Sequence, residues 1–201
     1  MSIGILALDC SNFASVGRAL KWLDMEITFI TKPELLNEVS HVILPGVSKF
    51  QSVMDELHSK NLVEGLERVK TNGTPILGLC AGMQVMGMSS EENPGVQGLN
   101  WFNFKVVSIV PHLDHHTRSF HTGWNEVNFR GKTEFECVPN VFYFNHSYFV
   151  RDTNNCTTIG ETSYGEDFSS VIRKDNLVGA QFHPEKSQLA GLNFLLNFTK
   201  L

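Results

Sequence analysis

Cys80 lies in the run Gly78-Leu79-Cys80-Ala81-Gly82, between an apolar stretch opened by Pro75 and a proline-free segment of helix formers, Ala81 to Met88. The first half reads as a buried strand and the second as a helix, which puts the cysteine on a tight strand-to-helix turn. Small residues two positions before and after it let the backbone bend where a Cβ would obstruct. This is the thiol counterpart of the nucleophile elbow of Gly-x-Ser-x-Gly hydrolases. Such a turn projects the thiol into solvent near the positive end of a helix, which favours the thiolate. A buried, inert cysteine at a strand end has the same local pattern, so the decision rests on the rest of the chain.

Two further segments bear on it. In Gln181-Phe182-His183-Pro184-Glu185 a β-like run from Val178 to Phe182 ends at a histidine. Pro184 enforces an extended or turning backbone there. Glu185, two residues on, can reach an imidazole nitrogen and set its tautomer, completing a Cys-His-Glu relay for nucleophilic catalysis. In Leu44-Pro45-Gly46-Val47-Ser48 a strand ends in a turn whose backbone N–H groups can face an oxyanion.

The elements that must position these residues alternate. Ile3–Leu8, Glu26–Thr31, His41–Leu44 and Pro75–Leu79 read as strands. Helical spacing follows Ser11, taken as an N-cap, and recurs over Phe50–Leu57 and Leu62–Val69. After Gly95 come six strand-like runs: Trp101–Val110, Gly123–Phe129, Val141–Val150, Thr157–Thr162, Ser169–Arg173 and Val178–Phe182. A helical pattern from Leu189 to Thr199 closes the chain. The expected fold is α/β: an open, twisted, mostly parallel, flavodoxin-like sheet with helices on both faces and an antiparallel β extension. In such sheets the carboxyl ends of the strands open on one crevice, where the three segments would meet.

Bulk properties narrow the function class. A chain of 201 residues, 42% hydrophobic and 18% charged, fits one globular domain spanning 1–201 and excludes disorder. A net charge of −5 without any Lys/Arg run argues against nucleic acid. No stretch reaches membrane-span length and the start lacks a basic leader, so no membrane is expected and the cytoplasm is the default. Cys10, Cys80, Cys137 and Cys156 are scattered, which suggests neither zinc nor a disulfide framework. His112, His115, His116 and His121 have spacings that could hold a metal, yet only Asp114 accompanies them. An exposed loop is the simpler account, and no metal is assigned.

Gly78-Leu79-Cys80-Ala81-Gly82-Met83-Gln84 together with Phe182-His183-Pro184-Glu185-Lys186-Ser187 resembles the class I (triad) glutamine amidotransferases. More narrowly, Pro45-Gly46-Val47, His121-Thr122-Gly123-Trp124-Asn125 and Tyr143-Phe144-Asn145-His146-Ser147-Tyr148 resemble the glutaminase subunit of imidazole glycerol phosphate synthase. The resemblance covers nearly the whole chain in matching order. It implies that Cys80 attacks the carboxamide of L-glutamine, that His183 shuttles the proton and that Glu185 orients His183. It implies an oxyanion site from Ala81 and the Gly46-Val47 turn, and a hold on the amino-acid end of glutamine by Gln84, Ser147 and Tyr148. It implies a heterodimer in which ammonia passes to a (β/α)8-barrel synthase subunit making imidazole glycerol phosphate and AICAR in histidine biosynthesis. Trp124, Asn125 and Lys186 would lie at that interface, and no cofactor is needed. A paralogue feeding a related barrel synthase in amidino-sugar biosynthesis, a non-catalytic scaffold and a cysteine peptidase are the competing functions. The intact Cys80, His183 and Glu185 speak against the scaffold, and Gln84 with Ser147-Tyr148 against the peptidase.

The sequence departs from the family at Ser48, where the family's Pro-Gly-Val-Gly has its second glycine. That glycine lets the oxyanion-hole peptide flip when the partner is loaded, and a serine is costlier at positive φ. Gly98 to Phe102 and Asn145 also depart.

Overall fold

The computed structural model describes residues 2–110, 118–151 and 157–201. Its main sheet has eight strands. In chain order the strands among the described residues are β1 (Ser2–Leu6), β2 (Glu26–Ile30), β3 (His41–Leu44), β4 (Ile76–Leu79), β5 (Ser89–Ser90), β6 (Lys105–Ser108) and β7 (His121–Glu126), followed by β8 (Asn128–Phe129), β9 (Val141–His146), β10 (Tyr148–Val150), β11 (Thr157–Tyr164), β12 (Glu166–Lys174) and β13 (Leu177–Ala180). The large sheet runs β2-β1-β3-β4-β13-β12-β11-β8. Its first five strands are mutually parallel, and β12, β11 and β8 continue it antiparallel. The expected parallel sheet with an antiparallel extension is what the chain forms.

Both faces are covered because successive side chains of a strand point to opposite sides. Val42 and Leu44 join the hydrophobic cluster under α2 (Phe50–Ser59) and α3 (Leu62–Thr71), whereas Ile43 joins the one under α1 (Phe13–Trp22) and α5 (Gln188–Phe198). The second cluster is aromatic, with Phe142 stacked on Phe182 at 4.0 Å and Phe194 edge-on to Phe182 at 5.0 Å. Outside the large sheet, β10-β6-β5 form one small sheet and β7-β9 another.

Four local expectations need correction. The helix after Cys80, α4, is only Ala81–Gln84. The chain from 98 to 102 folds back onto it, and amides of Leu99, Asn100 and Trp101 donate to the carbonyls of Val85, Gly87 and Met86. Those carbonyls are no longer available to a continuing helix, and the strand expected from Trp101 shrinks to β6. The Val141–Val150 run breaks at Ser147, since β9 pairs with β7 and β10 with β6. Ser11 does not cap α1: its hydroxyl donates to the Leu8 carbonyl, and Asn12 holds the cap position. Finally, a 3-10 helix over Pro33–Glu38 follows β2, with no sequence expectation behind it. Among the described residues no helix is long and apolar enough to cross a membrane.

Candidate active site

Strand register brings the three segments together. Leu44 of β3 pairs with Gly78 of β4, and Leu79 of β4 with Ala180 of β13. The last rung is the Cys80 amide, donating to the Ala180 carbonyl at 2.7 Å. Cys80 then takes φ 52° and ψ −111°, a conformation that costs a residue with a Cβ roughly 1–3 kcal/mol and persists only when its surroundings enforce it. Here the glycines enforce it. A Cβ on Gly82 would sit 1.9 Å from the Leu44 carbonyl oxygen, one on Gly78 would sit 2.7 Å from the Gly82 oxygen, and one on Gly46 would sit 2.6 Å from the Gly82 nitrogen. The elbow and the Pro45–Ser48 turn are packed backbone against backbone.

The thiol does not project into bulk solvent as expected. Cys80 is 5% exposed and opens on a cavity of about 480 Å³. Val47, Ser48, Ala81, Gln84, Ser147 and Tyr148 line the same cavity, with Asn145 and His146. Gly46 stands behind its wall against Ala81. Ala81 heads α4, so its N–H has no intrahelical acceptor.

His183 is held from both sides: its amide donates to the Tyr143 carbonyl at 2.9 Å, and its carbonyl accepts from the Ser187 hydroxyl at 2.6 Å. Its Nδ1 lies 3.0 Å from Glu185 Oε1, and both side chains are 2% exposed. Burial alone would drive the imidazole neutral. The Cys80 sulfur on one side and the Glu185 carboxylate on the other outweigh that and raise His183 from 6.5 to about 10. A sulfur, an imidazole and a carboxylate in this order can generate a thiolate and move its proton to a leaving group.

Gln84 Nε2 donates to the Tyr148 carbonyl at 2.9 Å and to Gln181 Oε1 at 3.1 Å, and Gln181 Nε2 donates to Cys80 Sγ at 3.5 Å. His146 Nδ1 also reaches the Tyr148 carbonyl, at 2.9 Å, and its Nε2 meets His121 Nδ1 at 3.0 Å. Burial lowers His146 to about 3 and His121 to about 4, so both are neutral near pH 7. Because the Tyr148 carbonyl only accepts, His146 carries its proton on Nδ1 and accepts from His121 on Nε2. Gln181 and His146 carried no assigned role in the sequence. Gln181 is a polar residue between Ala180 and Phe182 in an apolar strand run, which was its available signal; His146, between Asn145 and Ser147, had none.

Of the remaining expectations, Trp124 is 49% exposed, edge-on to Tyr143 at 6.0 Å, and Lys186 Nζ lies 5.7 Å from the same ring centre. The two form one surface patch. Asn125 is half-buried, donating to the Ser163 carbonyl at 3.0 Å and meeting His121 Nε2 at 3.3 Å. His112, His115, His116 and Cys156 lie outside the described residues, and His121 is committed to His146. Cys10 and Cys137 are free thiols that burial pushes up to about 12 and about 11, which makes them poor nucleophiles.

A doubly covered parallel sheet with a Cys-His-Glu constellation at its carboxyl edge is the architecture of a glutaminase domain. The model of the family "Glutamine amidotransferase class-I" matches residues 6–200, and the chain belongs to that family. It is a glutamine-hydrolysing enzyme of that class. Among curated proteins it is similar to the imidazole glycerol phosphate synthase subunit HisH of Methanocaldococcus jannaschii, at 38% identity over 99% of each chain. It is similar to the subunit of the same name from Buchnera aphidicola subsp. Schizaphis graminum, at 36% identity over 100% of each. Among solved structures, a glutamine amidotransferase superposes with a TM-score of 0.75 at 18% identity, covering 98% of both chains. The PurLQS structure from Thermotoga maritima gives 0.75 at 13% identity, covering 99% of this chain and 97% of that one. At those identities the structures speak for the fold.

Proposed function

We propose that this chain is the glutaminase subunit of an imidazole glycerol phosphate synthase, in which Cys80, His183 and Glu185 hydrolyse L-glutamine. The thiolate attacks the side-chain carboxamide carbon, and the carbonyl π electrons move to oxygen. The N–H groups of Ala81 and of the Gly46-Val47 turn receive that oxyanion. His183 then gives its proton to the departing nitrogen, so the C–N bond breaks with release of ammonia and leaves a thioester. Water, deprotonated by His183, attacks the thioester. Glutamate leaves and the sulfur is regenerated. Glu185 holds the imidazole throughout. Gln84 and the Ser147-Tyr148 backbone hold the amino-acid end of glutamine. The single observation behind this assignment is the buried His183–Glu185 pair, 3.0 Å apart, with the imidazole raised by the Cys80 sulfur.

The ammonia is taken by a (β/α)8-barrel synthase subunit, docked in a cytoplasmic heterodimer on the face carrying Trp124 and Lys186, with Asn125 bracing β7 from behind. This acceptor makes imidazole glycerol phosphate and AICAR in histidine biosynthesis. The support is near-full-length similarity to proteins named as that subunit. The test is glutamine turnover by wild type and Cys80→Ala, each with and without a histidine-pathway barrel subunit and its substrate. Hydrolysis should vanish in the variant with unchanged circular dichroism. Residual turnover above about a hundredth of wild type would remove Cys80 as the nucleophile. Product formation from ammonium salts but never from glutamine would remove the partner.

A further inference from the structure

We propose that Gln181 is a catalytic residue of this centre, a hydrogen-bond donor that holds the Cys80 sulfur as thiolate. The proposal rests on Cys80 being the nucleophile. Gln181 follows β13 directly and is wholly buried, with its own amide donating to the Ser170 carbonyl at 2.9 Å. Buried side-chain amides are ambiguous in which end is nitrogen, but here the neighbours leave one solution. The Tyr148 carbonyl can only accept, so the end of Gln84 facing it, at 2.9 Å, is the NH2. That NH2 has a second hydrogen, and its other neighbour at 3.1 Å is the Gln181 amide, whose facing atom must therefore be Oε1. The opposite end of Gln181 is then its NH2, and it points at Cys80 Sγ, 3.5 Å away.

A neutral sulfur is a weak acceptor and a thiolate a strong one, so this donor stabilises the charged form preferentially. The same chain of amides ties the sulfur to the residues that flank bound glutamine, since Gln84 and Tyr148 both line the cavity. The titratable groups facing the sulfur are His183, with Glu185 behind it, and His146 across the cavity. Lys49 and Glu92 also line the cavity. None of these is a neutral donor fixed on the sulfur, and that part falls to Gln181 alone among the hydrogen-bond partners described for it.

The experiment is the rate of Cys80 alkylation by iodoacetamide in the full chain as a function of pH, followed on the Cys80 peptide by mass spectrometry so that the other thiols do not interfere. Gln181→Met keeps the length of the side chain and removes the donor. Relative to wild type, its alkylation midpoint should rise by about one to two pH units, the size expected for losing a hydrogen bond to a charged group. Glutamine kcat near neutral pH should fall roughly 10- to 100-fold with a smaller change in KM. A folded Gln181→Met with an unmoved midpoint overturns the proposal, even if kcat falls. Should that variant not fold, Gln181→Glu retains the shape and an acceptor for Gln84, and its midpoint should rise further because a carboxylate then faces the thiolate; an unmoved midpoint there overturns the proposal equally. If wild-type chain fully alkylated at Cys80 still hydrolyses glutamine, the nucleophile assignment itself fails, and the proposal falls with it for that separate reason.

Discussion

Ser48 is where the chain departs from its family's oxyanion turn, and the structure shows what the serine does. Its hydroxyl donates to the Cys10 carbonyl at 2.6 Å. The Cys10 end is itself fixed, because the Glu56 carboxylate accepts from the amides of Asp9 at 2.7 Å and Cys10 at 2.6 Å, and Lys60 pairs with Asp9 at 3.1 Å. The turn is thus tied through Ser48 to a loop strapped down by α2. Ser48 is not among the residues with positive φ, so it sits unstrained as it stands. Strain arises only if the turn must flip. The family resemblance implies such a flip when the partner is loaded, and the prediction takes it as its premise. Flipping here would cost the Ser48–Cys10 hydrogen bond, about 1 kcal/mol net. A serine forced to positive φ adds roughly another 1 kcal/mol relative to glycine.

The two costs separate by mutation. Ser48→Ala removes the hydrogen bond alone and should raise partner-stimulated turnover about fivefold. Ser48→Gly removes both costs and should raise it by about thirtyfold at most, less if the flipped state becomes dominant. KM for glutamine should stay within about twofold, because the groups proposed to hold the amino-acid end lie across the cavity on Gln84 and Ser147-Tyr148. The assay is steady-state glutamine hydrolysis by the chain alone and by the complex with barrel and acceptor substrate. A slower Ser48→Ala would refute the reasoning, since the tether would then be holding the productive turn in place. Equal rates for Ser48→Ala and Ser48→Gly would show that φ at this position never becomes positive.

Gly82→Ala should abolish hydrolysis and destabilise the fold by about 3 kcal/mol, as its methyl would lie 1.9 Å from the Leu44 oxygen; an unchanged urea midpoint with hydrolysis within twofold of wild type would show that the elbow can yield. Trp124→Ala should leave the melting temperature within a few degrees, because the side chain is 49% exposed, yet weaken barrel binding tenfold or more by calorimetry; unaltered affinity would move the interface elsewhere. Acid should destabilise the chain through His121 and His146, which fold neutral with values near 4 and 3, against 6.5 unfolded: the stability they contribute is full above about pH 6.5 and lost as pH falls through the lowered values. At pH 5 that is roughly 2 kcal/mol for each, offset by about 1 kcal/mol from the raised His183, so the melting temperature should drop by roughly 6–12 °C between pH 7 and 5, and a flat profile would mean the pair is not buried neutral.

What was legible in the sequence was whatever local chemistry determines. The parallel half of the sheet could be anticipated because β1, β3 and β4 are short apolar runs with helical spacing between them. The antiparallel extension showed as strands crowding without intervening helices. The elbow was legible because only glycine fits at 78 and 82. The 3-10 helix at Pro33–Glu38 and the early end of α4 were not, since nothing local specifies them. The α4 helix stops because residues 99–101 arrive from outside and take the carbonyls of Val85, Met86 and Gly87, just past its end, which a continuing helix would need. The exposure of the thiol was overestimated for the same reason: Asn145, His146 and Tyr148, far along the chain, close the cavity over it.

The hydrogen-bond chain behind the site lay further out of reach, and the reason is instructive about such sites in general. Gln84, Gln181, His146 and His121 sit on α4, after β13, on β9 and on β7, so no spacing rule connects them. Gln84 and Gln181 look like isolated polar residues among mostly apolar neighbours, while His121 and His146 sit in mixed runs, His121-Thr122 and Asn145-His146-Ser147, that do not single them out. A buried unpartnered amide or imidazole would cost on the order of 1–3 kcal/mol, so such a residue signals a partner without naming it. The partner is fixed by the strand order, which sets β13 beside β4 and β7 beside β9. Once that order is known, the donors and acceptors have one consistent assignment, running from Asn125 through His121 and His146 to the Tyr148 carbonyl, and from that carbonyl through Gln84 and Gln181 to the sulfur. The strand carrying the exposed Trp124 is therefore connected to the Cys80 sulfur through a continuous set of partly or fully buried polar contacts.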